Sequence, residues 1–189
     1  NKKFLKLYKK FSPGPITYIL KKKKNSKISS LANANLNTIA VRFPQNIVAR
    51  TLLQNLEFPL AIPSANISSA LSPVSSTDVF DEFGNKIKFI LDGGTTKIGL
   101  ESTVVNLHGR TQILRPGSIS NKQISQVLKK KISILKKTNK IISPGLLKRH
   151  YSPGIPIKLN CLKKEDKAAF IVFGKKYKNS KDVFNLSKN

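Results

Sequence analysis

A chain of 189 residues that is 39% hydrophobic and 7% aromatic can fold one domain and part of a second, and is too apolar for a disordered tail. Its net charge is +26, its single Cys excludes a disulfide scaffold and fits a reducing cytosol, and no apolar run approaches the ~18 residues of a membrane span. There is no Met and no secretory signal, so the chain reads as an internal piece of a longer cytoplasmic protein.

Phe4, Leu7, Tyr8 and Phe11 recur at helical spacing, which predicts a surface helix over residues 1–11. Ser12-Pro13-Gly14-Pro15 breaks it, and Ile16–Lys22 follows as a strand. Asn25–Asn37 is a polar loop, Ile39–Phe43 a buried-type strand ended by Pro44, and Asn46–Asn55 a helix. Leu60–Ile62 reads as a short buried strand running into Pro63-Ser64-Ala65-Asn66. Ser76/Thr77 can cap a helix that Gly84-Asn85 ends after Phe83. Lys88–Leu91 is a further strand before the tight turn Asp92-Gly93-Gly94. Thr103–Leu107 and Thr111–Leu114 flank His108-Gly109-Arg110 as a β-hairpin, and Ser120/Asn121 starts a helix through Lys131.

Strands alternating with helices, with hairpins mixed in, make the class α/β with a mixed sheet. After Ile142 the texture becomes turn-rich, and Ala168–Phe173 then reads as a buried strand opening a second domain. The expected division is a first domain over 1–142, a linker over 143–160 and a truncated second domain over 161–189.

The charge has two readings. A basic surface draws phosphate and gives salt-dependent affinity for nucleic acid. Yet only five of the 35 basic residues are Arg (Arg42, Arg50, Arg110, Arg115, Arg149), and Arg is the residue that recognises phosphate and carboxylate bidentately. Solvated Lys runs such as Lys21–Lys24 and Lys129–Lys131, set among Asn and Ile, fit an AT-rich coding background as well as a partner.

Several chemistries are missing. His108, His150 and Cys161 never cluster at metal-ligand spacing, no Gly-x-Ser-x-Gly elbow or phosphate-binding Gly-rich loop occurs, and Asp92 and Glu101 are not an obvious glycosidase pair. What remains are hydroxyls, one amide and Arg at predicted strand ends and turns: Thr38, Arg42, Ser64, Asn66, Ser72, Ser102 and Arg115. Such groups bind anions and stabilise developing charge, which suits phosphoryl or nucleotidyl transfer. The same residue types also cap and turn chains with no ligand at all, so spacing alone leaves both readings open.

At these residues a family resemblance emerges. Ser12-Pro-Gly-Pro-Ile-Thr17, Thr38-Ile-Ala-Val-Arg-Phe-Pro44, Pro63-Ser-Ala-Asn66, Asp92-Gly-Gly94, Glu101-Ser-Thr-Val-Val105 and Arg115-Pro-Gly117 occur in this order. Together they resemble the YrdC-like domain of threonylcarbamoyl-AMP synthases, a mixed twisted sheet with flanking helices. Ser143-Pro-Gly-Leu-Leu-Lys-Arg-His-Tyr-Ser-Pro153 resembles the linker of the long, two-domain form, which leads into a small Rossmann-like second domain.

The resemblance implies a nucleotidyltransferase that joins L-threonine, bicarbonate and ATP into L-threonylcarbamoyl-adenylate and pyrophosphate, feeding the machinery that modifies a tRNA adenosine. It implies Arg42, the Ile62 backbone and Ser102 as the threonine site. Thr38, Ser64, Ser72 and Arg115 would hold ATP, Asn66 would shape the loop, and Tyr151 would close over the nucleotide. Arg115 would also act on the α-phosphate. ATP would come as substrate with Mg²⁺, with no tightly bound cofactor, no protein metal site and no membrane partner.

Each assignment has a structural rival: Arg42 as a surface ion pair, Ser102 as a strand start, Asn66 as an Asx turn, Cys161 as a small buried hydrophobe. Arg50 and Arg110 read as surface residues. The family's N-terminal threonine loop and Lys-x-Arg motif have no counterpart before Ser12, so this chain alone is expected to be catalytically weak or dead, with unpaired sheet edges. The alternative is an RNA-binding module on a basic sheet. Its Phe and Tyr fall mostly at core-like positions rather than among Arg, which favours the enzyme; weak RNA binding remains a further expectation.

Overall fold

The computed structural model describes residues 1–68, 70–135 and 155–187 and divides into two units, Asn1–Pro153 and Gly154–Asn189. In the first unit, α1 (Lys2–Phe11) starts at Asn1, whose side chain accepts from the amides of Lys3 and Phe4 at 3.1 and 3.2 Å. It is less of a surface helix than its lysines suggest, because Leu7 is fully buried and Phe4 lies edge-on to Tyr18 with ring centroids 5.1 Å apart.

Strands β1 (Ile16–Lys21), β2 (Thr38–Arg42), β3 (Thr103–Asn106), β4 (Gln112–Arg115) and β5 (Ser133–Ile134) form one mixed sheet in the order β2-β1-β3-β4-β5. The β1/β2 and β3/β4 pairs are antiparallel, whereas β1/β3 and β4/β5 are parallel. Alternation along the strands divides the sheet into two faces. Ile16, Tyr18, Val105, Leu107 and Ile113 meet Leu7 of α1 and Ile124 of α4 (Asn121–Leu128) in the main core. Each large apolar side chain so buried contributes about 1.5–3 kcal/mol. Ile19, Val104 and Leu114 form a smaller cluster of their own. A register shift between Val104 and Val105 sets Arg115 opposite Val104.

Caps explain where the helices stop and start. Ser120 and Gln123 form a capping box at α4, and Lys129 turns left-handed with φ 50°, ending the helix at Leu128 rather than at Lys131. Asn46 caps α2 (Ile47–Gln54), and Ser75 with Asp78 forms a capping box on α3 (Ser76–Phe83). The expected strands at Leu60–Ile62 and Lys88–Leu91 do not form. Their apolar residues find no ladder partner and, apart from the half-buried Ile90, are exposed, with Ile62 71% and Phe89 91% exposed.

β2 is likewise an edge strand of mixed exposure rather than a buried one. In the second unit β6 (Phe170–Val172) pairs in parallel with β7 (Val183–Asn185), and of β6 only Val172 is buried. The Asn185 amide closes the connection by donating to Gly174 O at 3.0 Å and Tyr177 O at 2.8 Å. Cys161 is half-buried rather than a core residue. No helix among the described residues is long and apolar enough to cross a membrane.

Candidate functional site

The first unit gathers a polar cluster where β3 begins. Ser102 sits immediately before β3, almost fully buried, and its hydroxyl lies 2.7 Å from that of Thr17 on β1. Arg115, ending β4, donates from Nε and Nη2 to the Ser102 carbonyl at 3.1 and 3.0 Å and from Nη2 to Ser102 Oγ at 3.0 Å. The neighbouring Glu101 carboxylate faces Arg115 Nη2 at 3.5 Å with one oxygen and accepts from Ser72 Oγ at 2.7 Å with the other. Two serines, a threonine, an arginine and a carboxylate thus converge from four separate stretches of chain.

Arg42 joins from the sheet edge. It pairs with Thr17, Thr17 with Val104, and Val104 with Arg115, so both arginines end one row across four strands. Arg42 is exposed as a residue, yet partial loss of water around its guanidinium pulls its pKa below the ordinary value; the Glu101 charge opposes that shift and the Arg115 charge adds to it. Gly117 is needed beneath this cluster: a Cβ there would lie 2.5 Å from both Glu101 O and Thr103 N. Thr103 anchors the same turn, its hydroxyl donating to Ile119 O at 2.9 Å and accepting from Ile119 N at 3.1 Å.

Residues 1–117 match the model of the Sua5/YciO/YrdC family, which carries the description "Telomere recombination", and residues 119–188 match that of the threonylcarbamoyl-AMP synthase C-terminal domain. The chain belongs to the Sua5/YciO/YrdC family. It is 40% identical over 164 residues to the threonylcarbamoyl-AMP synthase of Schizosaccharomyces pombe, which covers 80% of this chain and 40% of the relative. The corresponding enzyme of Pyrococcus abyssi is 38% identical over 157 residues, covering 80% of this chain and 45% of the relative. The chain therefore spans less than half the length of these curated relatives. The crystal structure of P. abyssi Sua5 complexed with L-threonine superposes with a TM-score of 0.80 at 30% identity, covering 98% of this chain and 60% of that one.

Of the residues expected to serve the site, this Sua5/YciO/YrdC chain brings Ser72, Ser102 and Arg115 into one bonded cluster, with Arg42 on the same sheet row. Thr38 lies at the other end of β2, opposite Lys21, four residues or about 13 Å along the strand from Arg42. Ile62 and Ser64 lie on exposed irregular chain and make no hydrogen bond to the cluster among the described residues. Asn66 holds its own loop, donating to Ile67 O at 2.8 Å and Ala70 O at 3.1 Å, while its buried Oδ1 has no partner. Tyr151 lies outside the described residues.

Two members of the cluster were not singled out by sequence reasoning. Thr17 closes the Ser12–Thr17 motif, and Glu101 opens the Glu101–Val105 motif, where an acid between anion-binding candidates was the available signal. Among the described residues no three His, Cys, Asp or Glu side chains group to hold a metal ion. A recess of about 240 Å³ lined by Tyr8, Pro13, Phe43, Pro44, Arg50, Leu53 and Gln54 contains none of the site residues.

Proposed function

We propose that the protein containing this chain is an L-threonylcarbamoyladenylate synthase acting in the cytoplasm for tRNA modification. The observation that carries the reading is the pair of arginines at the two ends of one sheet row, with the buried Ser102 beside Arg115. It suits two anionic substrates held side by side. Similarity to P. abyssi Sua5, solved with L-threonine, supports threonine as one of them.

In this reading the threonine amine first combines with bicarbonate, losing water, to give a carbamate. Arg42 grips the amino acid's carboxylate through its planar fork, with Ser102 and the Ile62 backbone completing that side. Thr38, Ser64, Ser72 and Arg115 hold ATP, which brings Mg²⁺ as part of the substrate, and Asn66 shapes the Ser64 loop. A carbamate oxygen attacks the α-phosphorus, the bond to the β-phosphate oxygen breaks and pyrophosphate leaves. Arg115 stabilises the charge that gathers at the α-phosphate, its orientation set beforehand by three bonds to Ser102. Tyr151 closes over the nucleotide. Downstream, the adenylate goes to tRNA threonylcarbamoyl-transfer machinery.

The test is pyrophosphate release from ATP by the full-length protein. Release that requires both threonine and bicarbonate is the expected result, with little or none from the 189-residue chain alone. Untouched ATP together with steeply salt-dependent RNA binding would overturn the reading in favour of an RNA-binding module.

A further inference from the structure

Glu101 stands where an anion-binding site would be expected to exclude it. Its charge repels a polyphosphate, yet its carboxylate is only part-exposed (27%), faces Arg115 and takes the hydroxyl proton of Ser72 at 2.7 Å. A serine hydroxyl has one hydrogen to give. With that hydrogen committed to Glu101, Ser72 Oγ can offer a ligand only lone pairs. A phosphate oxygen offers lone pairs as well, so it finds no bond there, whereas a ribose hydroxyl or a base amino group does.

We propose that Glu101 is a positioning residue that fixes Ser72 as a hydrogen-bond acceptor and braces Arg115, so that Ser72 takes a donor group of the nucleotide and the phosphates fall to the arginine side. The proposal rests on the nucleotide-binding reading above and refines it. One carboxylate then orders both parts of the nucleotide site: Oε1 sets the polarity of Ser72, and Oε2 faces an Arg115 Nη2 whose bonds already run to Ser102 O and Oγ. The repulsion Glu101 causes is offset because it faces the Arg115 cation and interacts electrostatically with Arg42.

The test is nucleotide affinity by calorimetry on the full-length protein, comparing ATP with analogues that each lack one donor: 2′-deoxy-ATP, 3′-deoxy-ATP and the purine riboside triphosphate without the 6-amino group. In the wild type one of these should bind roughly three- to ten-fold more weakly than ATP. Ser72→Ala should erase that difference. Glu101→Gln, whose amide can donate to Ser72 and free its proton, should shrink it, and Glu101→Asp should restore much of it. A purely structural Glu101 would lower stability and leave the ranking of analogues unchanged; that result, or equal weakening of all four nucleotides by Ser72→Ala, would overturn the proposal while leaving the nucleotide site intact. Failure of the wild type to bind ATP at all would instead overturn the nucleotide reading, and this role with it.

Discussion

Arg42 and Arg115 stand at the same level of the sheet, with Thr17 of β1 and Val104 of β3 between them. Three interstrand steps place their backbones about 14 Å apart. Two cations at that spacing can each hold one anion while Glu101, close to Arg115, moderates their repulsion.

Arg115→Lys should weaken ATP binding by roughly ten-fold or more, because a single ammonium cannot reproduce the three donations to the Ser102 carbonyl and hydroxyl. Stability should also fall by about 1–3 kcal/mol, since these bonds involve a charged donor. Calorimetric titration with ATP and urea unfolding check both; an unchanged affinity would remove Arg115 from the nucleotide site.

Arg42→Lys should act on the other substrate. Loss of the planar fork is expected to raise KM for threonine about ten-fold with little change in KM for ATP. Equal effects on both would mean that Arg42 shapes the sheet edge rather than one subsite.

Thr103→Val keeps the volume but deletes a hydroxyl that both donates to and accepts from Ile119. Two buried backbone groups lose their partner, at a cost of about 1–3 kcal/mol each. A midpoint shift in urea should reveal it, and Thr103→Ser should recover most of the loss.

Gly117→Ala would drive its Cβ into the backbone of residues 101–103, at 2.5 Å from Glu101 O and Thr103 N and 2.8 Å from Ser102 C. None of these atoms can rotate away, so the turn carrying Glu101 and Ser102 must shift. The expected result is a loss of at least about 1–3 kcal/mol together with weaker binding of both substrates. Unaltered unfolding would contradict the close approach.

The capping carboxylate of Asp78 gives α3 a pH dependence. Hydrogen bonds from the Val74 amide, then from Ser75, hold its pKa below the ordinary 3.8. A depressed folded-state pKa means stability that is fully present above the unfolded value and is lost as pH falls through the folded one. Between pH 7 and pH 3 the wild type should therefore lose more Tm than Asp78→Asn does. Parallel pH curves for the two would discount the cap.

Much of the fold is legible in the residues. The spacing of Phe4, Leu7, Tyr8 and Phe11 gives α1, Asn46 and Ser120 mark helix starts, and the His108-Gly109-Arg110 turn joins a true hairpin. These are local features, in which period and side-chain capping chemistry act within a few residues of each other. The ordered motifs from Ser12 to Gly117 likewise carry the family without any coordinates.

What needed the tertiary structure is pairing at a distance. Leu60–Ile62 and Lys88–Leu91 have the composition of strands and remain unpaired, because a strand exists only where a neighbour supplies its hydrogen bonds. Glu101, read along the chain as one of a few scattered acids, gains its meaning from Ser72 and Arg115, which only the folded backbone brings to it. Thr17 and Ser102 lie 85 positions apart in the chain and 2.7 Å apart in space. The parallel pairing of β1 with β3 joins them, a contact that no local pattern encodes.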